Sequence, residues 1–135
     1  MRFLFFLLFA LIKYIWREAE IVMKNWKNYF RGKKITLMGL GLLGRGVSDA
    51  AFLAEYGAKL IVTDLKTKEE LAPSLRKLKK FKNIAYHLDG HRLEDFRNRD
   101  LIIKAAGVGL DSPFIAEARR HKIPIEMSTA LFARF

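Results

Sequence analysis

The chain is 135 residues long, the size of one domain. With 51% apolar and 29% charged residues it is not a disordered chain, and with no cysteine it has no disulfide framework, thiolate nucleophile or Cys-based metal centre. Its 25 Lys and Arg against 14 Asp and Glu leave +11, a balance that suits nucleic acid, anionic lipid or a phosphorylated ligand. The charge is uneven, however: residues 1–34 hold eight cations and two acids, net +6, and the remaining residues seventeen against twelve, net +5. That distribution argues against a nucleic-acid surface on the body of the chain.

Phe3 to Ile12 form an unbroken apolar run of ten residues, followed after Lys13 by Tyr14-Ile15-Trp16. A membrane-spanning helix needs about 20 mostly apolar residues, so the run is too short to cross. It has the charged start and apolar length of a signal peptide, but no small-x-small cleavage site follows. Residues 1–28 therefore read as a separate apolar and basic segment, expected to be helical and prone to associate. Three readings stay open: an interfacial anchor, an uncleaved leader, or upstream sequence ahead of a start at Met23, the last favoured by the ordinary opening that Met23 begins.

From Lys34 the chain alternates short β-like runs with helical patterns. Ile35–Met38 is an apolar run ending in glycine, as a buried parallel strand does. Val47 to Tyr56 carries apolar residues at helical spacing and stops at Gly57. Leu60–Thr63 is the second strand, closed by Asp64, and Thr67 with Glu70 forms a capping box that starts a helix. That helix ends in the basic run Arg76–Lys82, with Leu75, Leu78 and Phe81 on its apolar side and solvated cations on the other. Ile84–His87 and Leu101–Ile103 are further strands. Ser112 and Pro113 open a helix to about His121, Pro124–Met127 is the fifth strand, and Ser128 begins another helix. Strands alternating with helices imply crossovers and a parallel sheet. The expected fold is thus α/β, a Rossmann-like doubly wound parallel sheet of about five strands preceded by an apolar N-terminal helix.

Between the first strand and the first helix of this body lies Gly39-Leu40-Gly41-Leu42-Leu43-Gly44, a G-x-G-x-x-G turn. The first glycine allows the tight turn, the second lets a phosphate approach the backbone, and the third packs helix on sheet. Amides at the helix start would then hold a pyrophosphate. Asp64 ends the second strand, where a ribose or base contact is expected. The plain alternative is that the glycines serve packing alone. A hydride-transferring dehydrogenase would use the same turn and acid, but it needs a substrate half for which this length leaves little room.

Other chemistry is thin. His87, His91 and His121 show no His-Glu-x-x-His arrangement, and no metal site is expected. His91 with Asp89, Glu94 and Asp95 reads as surface polarity around a short helix. The serines lack a nucleophile elbow, and Met38 and Met127 read as core filler.

Lys33 to Gly41, Val62 to Lys66, and Lys104-Ala105-Ala106-Gly107-Val108 through Ile125-Glu126-Met127 together resemble the N-terminal domain of the D-glutamate-adding branch of the Mur ligase family, which serves peptidoglycan synthesis. The resemblance covers about Tyr29 to Phe135, and residues 29–135 are taken as that domain. It implies binding of UDP-N-acetylmuramoyl-L-alanine, with the turn at Gly41, Leu42, Leu43 and Gly44 holding the pyrophosphate, Asp64, Leu65 and Lys66 the uracil, and Ala106 and Gly107 closing from the far side. Lys66 reads equally as a solvated loop cation. The family often carries Thr or Ser where Leu43 and Leu65 stand, and Ser-Pro-Gly in place of Ala105-Ala106-Gly107. These departures remove hydroxyl contacts but leave the backbone amides.

The family's reaction uses ATP and Mg2+ to activate a carboxylate as an acyl phosphate, forming ADP and an amide bond. It needs a Gly-Lys-Ser/Thr phosphate loop, and Gly32-Lys33 is followed by Lys34 instead. The chain is therefore expected to be a fragment ending before the ATPase domain, with no catalytic residue, cofactor or metal of its own. The alternative is an NAD(H)-binding Rossmann module, either membrane-linked and regulatory or part of a dehydrogenase. The expected location is the cytoplasm, with membrane contact through residues 3–16 where residues 1–22 are translated.

Overall fold

Runs of β-branched and aliphatic residues set the centre of the molecule. The structure, a computed structural model, describes residues 1–133 apart from the side chains of Trp26 and Phe132. Lys34–Met38 (β1), Lys59–Thr63 (β2), Ile84–His87 (β3), Leu101–Lys104 (β4) and Ile125–Met127 (β5) pair in parallel in the order β3-β2-β1-β4-β5. β1 is central, with Leu37 opposite both Val62 of β2 and Ile103 of β4. Side chains alternate across the pleat, so Ile35, Leu37, Leu60, Val62 and Ile103 enter one apolar cluster and Met38 and Ile102 the other.

Each cluster is closed by helices. Arg45–Glu55 (α2) and Ala72–Leu78 (α3) cover the first face through Val47, Ala50, Leu53 and Leu78. Pro113–Arg120 (α4) and a 3-10 turn, Leu93–Phe96, cover the second through Ile115, Ala118 and Phe96. Ser128–Phe132 (α5) adds Leu131 to the first cluster. Helices on both faces of a parallel sheet make the doubly wound architecture that the strand and helix alternation predicts.

Polar groups tie the sheet's amino-terminal edge. The Asn83 amide donates to the carbonyls of Ala54 and Ala58, both at 2.8 Å, and Asp100 accepts from the Lys34 backbone N–H at 2.7 Å. Arg99 donates to the Ile35 carbonyl at 2.7 Å and the Lys59 carbonyl at 3.0 Å.

The apolar N-terminal run is helical, within one 28-residue helix, Arg2–Tyr29 (α1). Every residue from Met1 to Asn25 is exposed, and the attachment to the body comes just after the helix. There Phe30 is fully buried and meets the Phe52 ring edge-on at 5.8 Å, while Gly32 donates to the Gly57 carbonyl at 2.9 Å.

Two element starts differ from the pattern reading at a proline, and one expected cap lacks its side-chain bond. The Thr67–Glu70 capping box forms reciprocally, Thr67 N–H to Glu70 at 2.8 Å and Glu70 N–H to Thr67 Oγ1 at 3.2 Å, but α3 starts only at Ala72. Pro73 has no N–H for the Glu69 carbonyl, which accepts from Ala72 in a turn instead. Ser112 occupies the N-cap of α4 but makes no side-chain capping bond. β5 begins at Ile125, and Pro124 contributes only its carbonyl, which accepts from Ile102 at 2.9 Å.

Candidate functional site

The carboxyl ends of β1 and β4 diverge where the strand order reverses, and there the glycine turn sits. The Gly39 N–H donates to the Thr63 carbonyl at 2.8 Å, which ends β1 against β2. Asp64 then holds the turn: one carboxylate oxygen accepts from Leu40 at 2.8 Å and Gly41 at 3.0 Å, and the other accepts from Lys66 at 2.9 Å. Burial would raise the Asp64 carboxyl, but those three N–H groups and the Lys66 charge outweigh it and hold it below its ordinary value. On the other side Ser74 Oγ donates to the Gly41 carbonyl at 2.7 Å, tying α3 to the turn.

The turn feeds directly into α2. Gly44 is the N-cap at φ +92°, a left-handed backbone that suits glycine, and its carbonyl accepts from Ser48 at 2.9 Å. Among the described residues the N–H groups of Leu42, Leu43 and Gly44 make no hydrogen bond. They lie at the helix amino-terminus, where the macrodipole favours an anion. The closest helix–turn approach falls two residues later than the motif suggests: a Cβ on Gly46 would stand 2.1 Å from the Leu40 carbonyl oxygen. Gly46 was not singled out in the sequence, because the G-x-G-x-x-G pattern stops at Gly44.

Across the switch point, Ala105 donates to the Met38 carbonyl at 2.9 Å, so the loop after β4 is tied to β1. Lys104, almost wholly buried, donates from Nζ to the Val108 carbonyl at 2.9 Å and fixes that loop. Between the two loops is a cavity of about 220 Å³, closed by Ser128 and Thr129 at the start of α5. Arg45 and Lys104 supply its cations, and Asp49 and Asp64 its acids. Burial raises the Asp49 carboxyl, partly offset by a hydrogen bond with Ser128 and the charge of Arg45.

Of the residues singled out from sequence, Gly41, Leu42, Leu43, Asp64 and Ala106 line this cavity. Gly44, Leu65, Lys66 and Gly107 lie outside its lining. Leu43 and Leu65 are exposed, and Lys66 contributes its backbone to the Asp64 clamp.

Two of the three histidines, His87 and His91, are less superficial than the sequence suggests. His87 and His91 are four residues apart, but their side chains take different partners. His87 Nδ1 meets the Asp95 carboxylate at 2.7 Å, and Asp95 is buried, its carbonyl accepting from Thr36 Oγ1 at 2.6 Å. His91 Nδ1 lies 2.7 Å from Thr63 Oγ1, and its ring packs edge-on to Phe96 and Phe114. Burial depresses the His91 pKa, against the opposing pull of Asp64 and Asp95. Among the described residues no three His, Asp or Glu side chains gather in a metal-holding group.

An open parallel sheet with a glycine turn and a helix amino-terminus at its switch point is the architecture of a nucleotide-binding α/β domain. The comparisons narrow that class. A family model described as Mur ligase MurD-like, N-terminal domain, matches residues 33–126, so the chain belongs to that family. It is 41% identical over 113 residues to the UDP-N-acetylmuramoylalanine–D-glutamate ligase of Treponema pallidum, a match covering 83% of this chain and 21% of that protein. The ligase of the same name from Borreliella burgdorferi is 42% identical over 100 residues, covering 73% of this chain and 21% of the relative. The chain thus spans about a fifth of the length of these relatives. Among solved structures, UDP-N-acetylmuramate–alanine ligase MurC of Thermotoga maritima is similar at a TM-score of 0.56 and 27% identity, over 74% of this chain and 22% of that one. A pseudomurein peptide ligase type C from Methanothermus fervidus shares the fold at 0.56 and 18% identity, over 77% of this chain and 20% of the other.

Proposed function

We propose that residues 29–135 are the UDP-N-acetylmuramoyl-L-alanine-binding domain of an ATP-dependent, D-glutamate-adding ligase of peptidoglycan synthesis, acting in the cytoplasm. The observation that carries this reading is the set of bond-free amides at Leu42, Leu43 and Gly44, at the amino-terminus of α2, with Leu42 and Leu43 lining the cavity. A diphosphate there gains N–H donors, the helix dipole and the charges of Arg45 and Lys104, none of which depends on a side-chain hydroxyl at Leu43. The uracil lies along Asp64, Leu65 and Lys66, where the Leu65 backbone is free of hydrogen bonds among the described residues while the Asp64 carboxylate and the backbone groups of Asp64 and Lys66 already have partners. Ala106 and Gly107 close over the ligand from the β4 side.

The domain binds and orients; it does not activate. ATP and Mg2+ supply acyl-phosphate formation in the full-length family, and the residues described here offer no carboxylate cluster or Gly-Lys-Ser/Thr loop to hold them. The NAD(H) reading has no support from the family match over residues 33–126.

Calorimetric titration tests the proposal. UDP-N-acetylmuramoyl-L-alanine and UDP should both release heat, and NADH should not. Binding of NADH in preference to either would overturn it.

A further inference from the structure

We propose that α1 is an interfacial anchor that lies in the surface of an anionic lipid bilayer. Phe3 to Ile12 project apolar side chains all round the helix, and each of these residues is exposed. At about 1.5 Å per residue, ten residues reach roughly 15 Å, half the ~30 Å hydrocarbon core of a bilayer. Among the described residues no helix is long and apolar enough to cross a membrane, so this run enters one leaflet only.

Past Ile12 the helix becomes two-sided. Lys13, Arg17, Glu20, Lys24 and Lys27 follow one another at spacings of four, three, four and three residues, a single ridge. Ile15, Ala19 and Val22 fall on the opposite side, which also carries Glu18. Tyr14 and Trp16 sit where the apolar run meets this ridge, the position aromatic residues favour at a membrane interface. The helix and its charged ridge run unbroken past Met23 to Lys27.

Charge selects the occupant. α1 itself carries five Lys and Arg against two Glu, net +3, which complements an anionic headgroup layer, and an apolar insertion combined with basic residues is the two-part anchor that holds a protein on a membrane. A second copy of α1 would bring like-charged ridges near one another. The attachment at Phe30 lets the helix lie on the bilayer while the sheet stays in water.

Flotation of the full chain on a density gradient tests this with two vesicle types, phosphatidylcholine alone and phosphatidylcholine mixed with phosphatidylglycerol. The chain should float with the mixed vesicles and remain largely unbound with phosphatidylcholine alone. Replacing Lys13, Arg17 and Lys24 by Glu should weaken partitioning more than about tenfold. The pair Phe6→Asp and Leu7→Asp should abolish it. Thermal unfolding of these variants should match the parent, because the substituted residues lie outside the sheet and its helices. A chain that stays unbound with both vesicle types overturns the proposal, as does equal flotation with both. So does a dimer that forms through the same apolar residues and does not float.

Discussion

Asp64 joins the two halves of the candidate site by accepting backbone N–H bonds from Leu40, Gly41 and Lys66. Asp64→Ala strands these donors in a partly buried turn, so unfolding in urea should show a loss of about 1–3 kcal/mol. Asp64→Asn keeps an acceptor oxygen and should lose less. Because the folded carboxyl lies below its ordinary value of 3.8, its contribution is full above that value and fades as the pH falls below it. Gly46 makes a different demand: Gly46→Ala forces a methyl against the Leu40 carbonyl, and the overpacking should cost about 1–3 kcal/mol in the same assay and weaken ligand binding. The position of Asp64 at the end of β2 was legible from the chain, but its partners were not. They depend on β1 and β2 standing in register with Met38 opposite Thr63, a tertiary fact. Gly46 was missed because a motif records spacing and not the approach of helix to turn. Asp95 reads as surface polarity in the chain but is buried, because its partners Thr36 and His87 come from β1 and β3.

Between elements, Glu117 is the principal polar tie of α4. It is almost fully buried and pairs with Arg97, Arg120 and His121. Arg97 first, then Arg120, hold its carboxyl down at about 2 from an ordinary 4.5. A depressed carboxylate stabilises the fold above its unfolded value, so this contribution is intact above pH 4.5 and lost as the pH falls toward 2. Chemical denaturation across that window should show a steep fall for the parent and a shallower one for Glu117→Gln. At this scale the strands were legible to within a residue, because buried parallel strands read as continuous apolar runs. Helix starts were less so. The Thr67–Glu70 capping box was found and forms, yet Pro73 delays the helix it announces. Phe30→Ala should show how much the body relies on the residue after α1, at a cost of roughly 3–5 kcal/mol in thermal or urea unfolding.

For the whole molecule, the +11 divides between two tasks. The exposed N-terminal helix and its junction hold more than half of it, and the sheet domain keeps a modest excess in which Arg45 and Lys104 face the cavity. The family, fold order and glycine turn could all be read from the chain. The geometry of the cradle could not, because it is made by backbone amides whose freedom depends on which partners Asp64 has already taken. An amide-resolved NMR titration with UDP-N-acetylmuramoyl-L-alanine tests this cradle residue by residue. The largest shifts should fall on the Leu42, Leu43 and Gly44 amides, with Leu65 next and the Leu40, Gly41 and Lys66 amides, already bound to Asp64, moving least. Saturation of the chain with ligand while the Leu42–Gly44 amides stay in place would contradict it.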